Sequence, residues 1–126
     1  MAGEENTIGI ENFNPEEFAN NLAEQARELV PPEFPQEEQD FIVTYVKNFC
    51  IMSGDALVKD LSVKLDAEQA SFITQIIGEW TFHKSVDLIR GGINVEFREE
   101  ILKKVAFTVF EICKTAILNK DRKSVV

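Results

Sequence analysis

The chain has 126 residues, 44% apolar and 28% charged, with ten phenylalanines against one tyrosine and one tryptophan. One domain of that length buries enough surface to stand without a disulfide or a metal, and the composition sets it apart from disordered chains. The net charge is −9 and sits in the first third: residues 1–40 hold eleven acids against Arg27 alone, whereas the rest holds eleven acids and twelve bases. An acidic field of this kind repels phosphate backbones and argues against nucleic acid as a partner.

Residues 1–13 show no sustained periodicity and read as a flexible acidic lead-in. Their acids stand where a secretory leader carries positive charge, and no stretch of the chain comes near the ~18 apolar residues of a membrane span. The expectation is a cytoplasmic protein with no membrane contact. Cys50 and Cys113 lack a CxxC partner, and each lies in an apolar helical pattern, so both are read as small buried hydrophobes. No cofactor is predicted.

The first helix is expected over about residues 15–30. Asn14 is its N-cap, Pro15 takes the first helical position, and Glu16 and Glu17 occupy the first turn. Phe18, Leu22, Ala26, Leu29 and Val30 then form one apolar stripe, with the acids, Glu24 and Glu28 included, on the other face. Pro31, Pro32 and Pro35 end the helix. A second helix, about 36–60, is apolar around more than half of its circumference and leaves a narrow polar strip of Thr44, Lys47, Asn48 and Asp55.

Leu61, Val63 and Leu65 alternate like a strand but have no second strand to pair with, and read as a loop with buried anchors. Asp66 and Gln69 then form a capping-box pattern for a helix over 67–90, which Gly91-Gly92 stops. A fourth helix, about 95–119, opens at Asn94 and carries a broad apolar arc, with Phe107 and Leu118 set in its charged face. Residues 120–126 read as a short basic tail.

The predicted fold is an all-α bundle of four main helices in one domain over residues 14–119. Helices two to four carry more apolar surface than a four-helix monomer needs, and the surplus predicts a homodimer.

The third helix poses the sharpest question. Glu79, His83 and Asp87 fall at successive i,i+4 steps, with Lys84 three residues before Asp87, so these groups are neighbours on the helix surface. One reading makes them mutually paired charges at a helix or subunit seam. The other makes Glu79, His83 and Asp87, with Asp55 from the second helix, a ligand or metal site inside the bundle. The di-iron pattern is Glu-x-x-His in two copies, whereas here a single Glu-x-x-x-His occurs. Thr74, Gly78, Thr81 and Ser85 form a small-residue stripe that would let another helix come close.

No nucleophile motif, phosphate loop or second histidine supports an enzyme. The expected function is a small protein-interaction module, acting as an adaptor, a chaperone-like module or a regulatory subunit. Its candidate contact residues are Trp80, Phe107, Leu118 and the acids Glu16, Glu17, Glu24 and Glu28, the last four suited to a basic protein partner. A ligand- or metal-binding bundle is the alternative.

Overall fold

The computed structural model describes residues 12–59 and 65–125, with side chains up to residue 117. Four helices account for it, and no strand occurs among the described residues. In α1 (Pro15–Leu29) the Asn14 side chain accepts from the Glu17 N–H at 3.1 Å, which satisfies one of the free donors of the first turn. After the proline connector comes α2 (Gln36–Lys59). The third helix, α3 (Ala67–Arg90), opens on a complete capping box: the Gln69 N–H donates to Asp66 Oδ1 at 2.8 Å, and the Asp66 N–H to Gln69 Oε1 at 3.1 Å.

Gly92 takes φ 74° just past the end of α3. Its N–H donates to the Ile89 carbonyl at 3.1 Å and the Ile93 N–H to the Leu88 carbonyl at 3.0 Å, the two bonds of a Schellman stop. The last helix, α4 (Val95–Val125), opens on the Phe97 N–H bonded to the Asn94 carbonyl, in place of a side-chain cap. It also continues past residue 119 through most of what the sequence suggested was a tail. The segment "NKDRKSV" contains no glycine or proline, and its bases suit the negative end of the helix dipole. Leu65 is buried as a loop anchor, whereas Leu61 and Val63 lie outside the described residues.

The packing is serial: α1 on α2, α2 on α3, and α3 on α4. Lighter contacts join α1 to α3 and α2 to α4, and α1 and α4 make none comparable. The core is consequently in two layers. Ala19, Ala23, Ala26, Ile42, Val46 and Cys50 belong to the layer that includes α1, and Phe49, Leu57, Ile73, Ile77, Leu102 and Ala106 to the layer that includes α4.

Small residues bring α1 close. Its buried stripe is Ala19, Ala23, Ala26 and Val30, rotated from the one expected, so Phe18 and Leu22 are half-buried on a flank and Leu29 is exposed. Opposite them, a Cβ added at Gly54 would sit 2.6 Å from Pro15 Cβ, and one at Gly78 would sit 2.9 Å from Cys50 Sγ and 3.2 Å from Leu22 Cδ1. Thr74, Gly78, Thr81 and Ser85 are all buried. The Thr74 and Thr81 hydroxyls donate to the Ala70 and Ile77 carbonyls, each at 2.8 Å. Close approach and back-bonding thus turn the small stripe into a dry helix seam.

By length and composition α2 is apolar enough to cross a membrane, which corrects the expectation that no stretch qualifies. Packing accounts for part of that apolarity: Ile42, Val43, Val46, Phe49, Cys50 and Leu57 are buried in the two core layers, but only 39% of the helix's most apolar stretch is buried.

Candidate functional site

The charged residues of α3 do not gather. Glu79, His83 and Asp87 are exposed and Lys84 is half-buried. Glu79 accepts from Gln75 Nε2 at 3.2 Å, and the His83 ring meets the Phe82 ring edge-on at 5.5 Å between centroids. Glu79 and His83 share the rim of a small pocket of about 120 Å³ with Leu22, Ala26 and Leu29 of α1, while Asp87 and Lys84 lie outside it.

Asp55 lies elsewhere. Cys50 packs on Thr74 and Gly78, and α2 and α3 run antiparallel, so Asp55 and His83 diverge from that crossing by five residues each, about 15 Å along the axis. Among the described residues, no group of three His, Cys, Asp or Glu side chains is placed to hold a metal ion.

The more developed concavity lies between α2 and α4. The two helices are tied near their first turns by Arg98, whose guanidinium makes two bonds to the Glu38 carboxylate, at 2.8 and 2.9 Å, and a third to the Ile93 carbonyl at 2.8 Å. Arg98 is buried, and this bidentate pair fixes direction as well as distance. Next to it, Phe41, Tyr45 and Phe49 stack along α2 with centroids 5.9 and 6.1 Å apart. Burial, and then the nearby Glu99 carboxylate, push the Tyr45 hydroxyl above its ordinary value.

Beyond that clamp the helices separate into a groove of about 370 Å³. Phe49, Met52, Ser53 and Ala56 line one wall, and Lys103, Ala106, Phe107 and Phe110 the other. Met52 is 57% exposed and Phe107 66%, large values for apolar side chains on facing walls. The Lys114 ammonium lies over the Phe110 ring, 5.3 Å from its centroid. Of the broad apolar arc on α4, Leu102 and Ala106 are buried, while Ile101, Val105, Val109 and Phe110 are half-buried and Ile112 is exposed.

Of the other contact candidates, Trp80 is 52% exposed and shares the outer face of α3 with Phe72. Glu16, Glu17, Glu24 and Glu28 are all exposed on α1, and the Leu118 side chain lies outside the described residues. Sequence reasoning found Phe107 as an oddity in a charged face. It missed Met52 as its neighbour and the Glu38–Arg98 pair, because each joins positions more than fifty residues apart and no local pattern links them.

No family model matches this chain, and no curated protein or solved structure matches it either, so its functional reading rests on its own surfaces.

Proposed function

We propose that this protein is a small helical protein-interaction module that acts as a homodimer, in the role of an adaptor, chaperone-like module or regulatory subunit. The observation that carries the reading is the groove between α2 and α4. Phe107 and Met52 stand largely in solvent beside half-buried Phe110, and a contiguous exposed apolar surface of that kind is where soluble proteins bind other proteins. A cytoplasmic setting agrees with two free thiols.

The acidic outer face of α1, with Glu16, Glu17, Glu24 and Glu28, remains free for a basic partner while the groove is occupied. The two surfaces lie on helices that share no substantial contact. The ligand-site alternative has less behind it, since only Glu79 and His83 share a pocket and Asp55 stands at the other end.

Sedimentation equilibrium of the full chain over about 1 μM to 1 mM tests the reading. A dimer is expected, and Phe107→Asp, which places a charge on the exposed apolar wall, is expected to shift the population to monomer without loss of helical signal. A wild-type chain that stays monomeric over the whole range would overturn the proposal.

A further inference from the structure

The order of charges along α4 says what covers the groove. At about 100° per residue, Glu100, Lys103, Phe107, Glu111 and Lys114 fall within roughly 80° of one another, in one stripe that includes the Phe107 wall. Phe107 is its midpoint: Lys103 lies four residues before it and Glu111 four after, Glu100 seven before and Lys114 seven after. At both of these steps the residue on one side has the opposite sign to its counterpart on the other.

A surface with that symmetry complements itself when reversed. An antiparallel copy of α4, laid across a two-fold axis at Phe107, sets Lys103 against the partner's Glu111 and Glu100 against the partner's Lys114. Two-fold symmetry makes each of these pairs twice. A parallel copy in register sets lysine against lysine and glutamate against glutamate, which is repulsive.

We infer that the groove between α2 and α4 is covered by a second copy of this chain, docked through antiparallel pairing of the two α4 helices about Phe107. The inference rests on the homodimer reading above and adds to it the face, the direction and the register. The groove fits the occupant. It offers about 370 Å³, and an apolar cavity of about 150 Å³ takes a benzene molecule, so the partner's Phe107 ring enters between Met52 and Ala56 with space left for its neighbours.

Of these charges Lys103 and Glu111 are the ones placed to re-pair, whereas Lys114 is only 20% exposed and held over the Phe110 ring. Glu99–Lys103 at 4.0 Å and Glu111–Lys114 at 3.7 Å are long contacts, and the Lys103 side chain is mostly in solvent. Each aromatic ring brings an apolar area on the order of 150–250 Å². Phe107 and Met52, each repeated by the two-fold axis, form the apolar centre of this interface.

A charge-swap cycle on the full chain tests face and register together. Lys103→Glu and Glu111→Lys are each expected to raise the dimer dissociation constant about tenfold, because each meets a like charge twice in the dimer. The double variant is expected to return to within about threefold of wild type. Lys103 is exposed and Glu111 only half-buried on α4, so circular dichroism should report an unchanged fold.

If wild type dimerises but the double variant is as weak as the singles, or no swap matters, this register is wrong while the homodimer reading stands. A dimer lost with Trp80→Glu and indifferent to the α4 swaps would move the interface to the outer face of α3. A monomeric wild type would remove both proposals.

Discussion

Cys50 shows what burial does to one residue in this fold. It has no exposed surface, and its thiol lies 3.7 Å from the Thr74 carbonyl, where burial pushes its pKa from an ordinary 9.0 up to about 12. The folded state therefore keeps a proton that the unfolded chain gives up. The contribution to stability is complete below about pH 9 and is lost as pH climbs from there towards 12, by at most ~1.4 kcal/mol per unit. Urea midpoints measured from pH 8 to 11 are expected to fall more steeply for wild type than for Cys50→Ala, and equal slopes would contradict the assignment. Cys113, only partly buried, is raised by the same cause. That both cysteines fall in apolar helical patterns was legible in the sequence; how far each is covered was not, because coverage depends on which helix lies above it.

At the scale of elements, local chemistry set the starts and stops. Asn14, the Asp66–Gln69 capping box and the Gly91-Gly92 stop act within a few residues of chain, where sequence is nearly sufficient. Gly92 is the sharpest of these, since φ 74° is a conformation that other residues adopt only with strain. Gly92→Ala is expected to lower stability by about 1 kcal/mol in thermal or urea unfolding while leaving the helical content intact. The same local logic failed at the end of α4, where no stop signal exists and helix continues through the basic residues. It failed again on α1, whose buried stripe was chosen by the close approach of α2 and α3 to three alanines over the bulkier Phe18 and Leu29.

For the molecule as a whole, the decisive link is Glu38–Arg98. It closes α2 onto α4 at one end of the helices and so sets where the groove begins. Both side chains are largely buried, at 20% and 8% exposure, so removing one partner strands the other charge. Arg98→Met is expected to lower the urea-derived stability by about 3 kcal/mol, and pairing it with Glu38→Leu to recover most of that loss. A small effect of Arg98→Met alone would mean that the pair does not hold α4 in place. The serial packing has a second consequence: with α1 and α4 apart, α4 keeps apolar surface that a closed ring of helices would have covered.

By itself the sequence determined that the chain is all-helical, where three of its four helices start and stop, and that its apolar residues exceed what one-sided helices need. Those properties follow from hydrogen bonding and periodicity within a turn or two of chain. Only the tertiary structure decided where the excess lies. The charges at Glu79, His83, Lys84 and Asp87 looked site-like in sequence because i,i+4 spacing makes them neighbours on one helix, yet among the described residues no second helix supplies the converging group a metal site needs, and Asp55 lies about 15 Å away along the axis. The small residues of the same helix did have partners, in Cys50 and Leu22, since close packing is satisfied by whatever helix fits against them. The Met52–Phe107 groove joins positions that only the arrangement of whole helices could bring face to face.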